Sequence, residues 1–120
     1  SYDRALLERI NASPINYIEK IIKALDIVST DKDIVLIESA RNLNYGAFAG
    51  ISSKDICKAV KARAVLIMKY EDDIVDKILH FSGYFGNDFG GIIINMIPPE
   101  NKERVEGLIV PFLEKMNLKL

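Results

Sequence analysis

Apolar residues recur at helical spacing in some stretches of this chain and as unbroken runs in others. Ala5, Leu6, Leu7 and Ile10 form a short helical stripe. Asn11-Ala12-Ser13-Pro14 breaks it, with Ser13 suited to an N-cap and Pro14 to the first helical position. Ile15, Ile18, Ile21, Ile22 and Leu25 then share one helical face, with charges opposite, which predicts a helix to about Val28. Ser52 or Ser53 can cap a helix over about Lys54 to Lys61. Ile74, Val75, Ile78 and Leu79 line one side of a helix predicted over Asp72 to Phe85. Val105, Leu108, Ile109 and Phe112 do the same in the last helix, Glu100 to about Met116. Pro111 lies inside that last pattern and is expected to kink it or end it.

Three runs show no alternation: Ile34-Val35-Leu36-Ile37, Ala64-Val65-Leu66-Ile67-Met68 and Ile92-Ile93-Ile94. Continuous apolar runs of this length suit strands buried on both faces of a parallel sheet. The order is helix, helix, strand, helix, strand, helix, strand, helix. That order predicts an α/β fold, a three-layer sandwich around a mainly parallel sheet with right-handed crossovers. Three strands are few for the class. Residues 1–120 therefore read as a single α/β domain or as the rear part of a larger one. The alternative is a small domain that completes its sheet with a homo-oligomer partner.

Composition narrows the function classes. The 120 residues suit one domain with a modest core. With 49% hydrophobic and 28% charged residues, the composition is globular. A formal net charge of -1 argues against a nucleic-acid partner, which usually wants a basic excess. The lone cysteine, Cys57, excludes an internal disulfide and a cysteine-built metal site, and reads as a buried apolar residue. No apolar run approaches the roughly 20 residues of a membrane span, and no signal-peptide pattern opens the chain. The expectation is a cytoplasmic protein with no membrane partner.

Ligands of open parallel sheets bind beyond the carboxyl ends of the strands. Each predicted strand exits into a polar residue there: Glu38, Lys69 and Asn95. A carboxylate can hold Mg²⁺, a lysine can neutralise phosphate, and a side-chain amide can read a purine edge. Each also has a plainer reading, as a solvated acid, an ion-pair partner of Glu71 or Asp72, and a turn-former. Asp72 or Asp73 reads as a helix cap rather than a metal ligand. His80, the single histidine, has no evident nucleophile beside it in the pattern. The phosphate cradle G-x-x-x-x-G-K-[ST] is absent: Gly46 and Gly50 have its glycine spacing, but Ile51-Ser52 follows. The sequence thus does not bind a nucleoside triphosphate in the usual way by itself, and whether it is an enzyme stays open.

The strings DIVLIESARNLNYG, AVLIMKYEDDIVDKIL, GGIIINMIPPE and VPFLEKMNLKL, in that order, resemble the later part of the dethiobiotin synthetase-like P-loop domain. That group includes dethiobiotin synthetase, the amidases that make cobyrinic acid diamide, and, nearest in wording, the front domain of phosphotransacetylase-like proteins. The resemblance covers about Lys32 to Leu120. It implies an incomplete P-loop NTPase-like fold, ATP and Mg²⁺ as cofactors, and ATP-dependent ligase or amidase chemistry. By the same resemblance Glu38 is the acid that helps hold Mg²⁺, Asn95 reads the adenine ring, and Lys69 faces the acceptor side. Ser39-Ala40 stands where the group has a glycine pair, and Arg41, which follows, is a candidate anion-binding residue. Met96 replaces a residue that is often basic in the group. The alternative implied is a non-catalytic regulatory or assembly domain.

Overall fold

The computed structural model describes residues 3–12, 16–40 and 42–118. The chain divides into two compact units, Ser1–Val60 and Lys61–Leu120.

The first unit is helical. Helix α1 spans Arg4–Ala12, and the Asp3 carboxylate accepts the Leu6 N–H at 2.7 Å to cap it. Helix α2 spans Tyr17–Ser29, capped by Asn16, whose side chain accepts the Glu19 N–H at 3.1 Å. The expected cap Ser13, first helical residue Pro14 and stripe residue Ile15 lie outside the described residues. The expected stripe holds: Ile18, Ile21, Ile22 and Leu25 are half-buried while their charged neighbours are exposed. Helix α3, Ser53–Ala59, packs against α2. Its capping box is complete. The Ser52 hydroxyl accepts the Asp55 N–H, and the Asp55 carboxylate accepts the Ser52 N–H at 3.0 Å. Cys57 is buried in α3, as its pattern predicts.

One expectation fails here. Ile34–Ile37 forms no strand; residues 34–40 carry no regular secondary structure. Ile34 is 79% exposed and Leu36 91%. The run has strand-forming residues, but a strand exists only when a neighbour accepts and donates its backbone hydrogen bonds.

The second unit is a βαβ element followed by a long helical segment. Strand β1, Ala64–Lys69, pairs in parallel with β2, Phe89–Asn95, and helix α4, Ile74–Phe85, connects them and packs on both. The register runs from Val65 opposite Gly91 to Lys69 opposite Asn95. At its start a bulge skips Gly90, where an added Cβ would stand 3.1 Å from the Ala64 carbonyl oxygen. Arg63 fastens the same corner by donating to the carbonyls of Asn87 (2.7 Å) and Phe89 (2.8 Å). The core comprises Leu66 and Ile92 from the sheet, Ile74, Ile78 and Phe85 from α4, and Val105, Ile109 and Leu113 from the last helical segment.

The mixed helix and strand content with a parallel sheet is the α/β class, but the sheet has two strands among the described residues. Its strands are covered on one face only, which corrects the expectation of burial on both. Leu66 and its partner Ile92 are buried, while Val65 (55%), Ile67 (72%) and Ile93 (52%) are exposed. Side chains alternate along a strand, so these three share the open face.

The last segment turns through Pro99–Asn101, then continues as α5 (Lys102–Arg104), a π turn (Val105–Ile109) and α6 (Val110–Lys115). Pro111 does not end it, but the regular helix gives way to the π turn just before it. Proline offers no N–H to the preceding turn and its ring crowds the carbonyl four residues back. The widened turn just before it, in which the Val110 N–H reaches back to the Val105 carbonyl, makes room for the ring without stopping the helix.

Candidate functional site

The carboxyl ends of β1 and β2 bring two of the expected residues together. Lys69 and Asn95 are register partners, the last residues of their strands, and both are exposed. They share the open face with Ile67 and Ile93, two residues back on each strand. The chain continues from this edge in a fixed way. The Tyr70 N–H donates to the Asn95 carbonyl at 2.8 Å, so the strand pairing extends one residue beyond Lys69.

Asn95 is shaped locally. Its side-chain oxygen accepts the Met96 N–H at 2.8 Å, and Met96 sits at φ +55°. A methionine in the left-handed region is uncommon, and the Asn95 side chain holds the turn that demands it. Asn95 is exposed, and with its oxygen accepting the Met96 N–H its NH₂ group is left as a donor. Met96 is itself exposed at this edge.

The acidic run after β1 is neutralised from within. Lys77 of α4 bridges Glu71 and also Asp73, the latter at 3.1 Å. The hydrogen bond from Lys77 to Glu71, and then that to Asp73, raises the lysine pKa above its ordinary 10.5. Asp73 occupies the N-cap position of α4, as the sequence suggests, but its carboxylate goes to Lys77 and makes no capping hydrogen bond. The plain reading of Lys69 as the partner of Glu71 or Asp72 therefore does not hold. Among the described residues Lys69 forms no ion pair, and the cation serving that run is Lys77.

Glu38 belongs to the first unit and is exposed, in the segment without regular structure. Beside it the Ser39 and Ser53 hydroxyls are hydrogen-bonded, tying this segment to the start of α3. Among the described residues no three His, Cys, Asp or Glu side chains gather as a cage for a metal ion. A single exposed carboxylate still fits Mg²⁺, which takes one or two carboxylates and fills its shell with phosphate oxygens and water. Arg41 lies outside the described residues.

The Gly46 and Gly50 pair is a turn, not a phosphate cradle. Gly46 sits at φ +87°, and its carbonyl accepts the Ala49 and Ile51 N–H groups. A Cβ there would stand 2.8 Å from the Ile51 carbonyl oxygen. His80 is exposed on α4 with its ring edge-on to Phe81.

Sequence reasoning missed two side chains at the strand ends. Tyr70 is buried, one residue past Lys69 and so directed to the opposite, covered face. Its hydroxyl accepts from the Arg104 guanidinium at 3.5 Å. Arg104 gave no local signal in the sequence, since it lies in a charged helical stretch, Lys102–Arg104, with Glu103 between the two bases. Among the described residues no helix is long and apolar enough to cross a membrane.

A scan of protein-family models finds no match to this chain, and no solved structure matches it.

Proposed function

We propose that this chain supplies part of a nucleotide site of the dethiobiotin synthetase-like kind, with ATP as the nucleotide. The observation that carries the reading is the pairing of Lys69 with Asn95 at the carboxyl ends of adjacent parallel strands. A cation without an acidic partner suits phosphate, and the NH₂ donor of an exposed amide suits a purine acceptor nitrogen. Glu38, in the first unit, is offered for Mg²⁺ by the resemblance alone. Ligase or amidase turnover rests on the resemblance alone, and its phosphate loop is not among these 120 residues.

Calorimetric titration of the full-length protein tests the reading. ATP is expected to bind, and Lys69→Met and Asn95→Ala each to weaken it about tenfold. Absence of ATP binding by the wild type at millimolar nucleotide defeats it.

A second reading, a non-catalytic assembly domain, is favoured by the open sheet face. Val65, Ile67 and Ile93 are exposed on a parallel sheet, a type almost always covered on both sides. Under that reading nucleotide is bound without phosphate release, and the open face joins the rest of its own domain or a second copy.

A further inference from the structure

The nucleotide reading uses Lys69 and Asn95 but leaves Arg104 and Tyr70 unexplained. We infer that Arg104 is a second phosphate-binding side chain at this edge, held in place by the Tyr70 hydroxyl; the inference rests on the nucleotide reading.

Three observations support it. First, Tyr70 is anchored at the strand ends. Its N–H donates to the Asn95 carbonyl at 2.8 Å, and its ring is buried. A buried tyrosine needs a partner for its hydroxyl, and the partner here is Arg104 at 3.5 Å. The contact occupies one guanidinium N–H and leaves the others to bind elsewhere.

Second, the charge around the edge is already sorted. Lys77 takes Glu71 and Asp73, and Lys102 pairs with Glu106 at 3.8 Å. Among the described residues neither Lys69 nor Arg104 has an acidic partner. Asp72 and Glu100 on the flanking turns, and Glu103 in α5 next to Arg104, are exposed, so solvent screens them.

Third, the two cations leave the strand ends on different sides. Lys69 stands on the open face, and Arg104 reaches in from the helical segment beside Tyr70 on the covered face. An anion lying across the end of β1 meets a point charge from one side and a planar fork from the other. The guanidinium fork matches phosphate geometry. Tyr70 acts as a positioning residue, fixing a long side chain that would otherwise lose rotamer freedom on binding.

The test compares ATP with adenosine on the full-length protein, by calorimetry at several salt concentrations. Arg104→Gln should weaken ATP about tenfold and flatten its salt dependence, while leaving adenosine affinity unchanged. Tyr70→Phe, which keeps the buried ring, should weaken ATP about threefold, again without touching adenosine. Arg104→Gln disturbs the partner of the buried Tyr70 hydroxyl and should lower the melting temperature by a few degrees, so affinities are compared well below it. If Arg104→Gln binds ATP like the wild type while Lys69→Met does not, the inference falls and the nucleotide reading stands. Equal losses for ATP and adenosine in Arg104→Gln overturn it as well, since they point to a structural role. If the wild type binds neither ligand, both fall.

Discussion

Lys69 and Asn95 lie side by side as the last residues of two adjacent parallel strands, on the face of the sheet that is not covered. Nothing local forces a lysine and an asparagine to end these strands. Strand β2 could exit through any turn-former, and β1 could end on any polar residue. Their juxtaposition is set by the register, and the register is set by the bulge at Gly90 and by Arg63 clamping the Asn87 and Phe89 carbonyls.

The one-sided burial of this sheet has a direct stability consequence. Ile78 is fully buried beneath the strands, whereas Ile67 is 72% exposed. Ile78→Ala should cost about 2–5 kcal/mol, because the removed methyl groups leave a cavity. Ile67→Ala should cost under about 1 kcal/mol. Urea melts of the two variants check this, and equal losses would mean that the open face is covered in solution.

Two glycines predict opposite effects. Gly83 lies inside α4 with nothing within 4 Å of an added Cβ. Gly83→Ala should stabilise by about 0.5–1 kcal/mol, since it lowers the entropy of the unfolded chain. Gly46 sits at φ +87° against the Ile51 carbonyl, so Gly46→Ala should destabilise by more than about 1 kcal/mol. Thermal melts read both signs.

Lys77 gives a pH signature. Its folded pKa is raised above 10.5, chiefly by the hydrogen bond to Glu71 and then by that to Asp73. A raised folded pKa means that the charged form favours folding. The contribution is complete below about pH 10.5 and is lost as pH rises through the higher folded value. The wild type should therefore lose stability in that alkaline window, and Lys77→Met should lose less there. Parallel denaturant melts between neutral and alkaline pH measure the difference.

Much of the second unit was legible in the sequence. The runs at Ala64 and Ile92 and the stripe from Ile74 to Leu79 become β1, β2 and α4 with small changes of boundary. The run at Ile34 has the same local character and forms no strand, because pairing depends on a neighbour and not on composition. Pro111 was readable as a disturbance, but a π turn that absorbs it depends on the packing of Val105, Ile109 and Leu113. At the candidate site, the rule for strand ends picked out Lys69 and Asn95. It could not supply Arg104, whose link to Tyr70 spans 34 residues. The competition for Glu71 was also hidden, since Lys77 wins it through helix geometry six residues on.

The most direct test of the central claim is the melting temperature of the full-length protein with and without millimolar Mg-ATP, for the wild type and for Lys69→Met/Asn95→Ala. The account predicts a rise of several degrees with nucleotide in the wild type and little or none in the double variant, each read against its own ligand-free melting temperature, which Asn95→Ala lowers by loosening the Met96 turn. No rise in the wild type, or the same rise in both, would contradict a nucleotide site at the ends of β1 and β2.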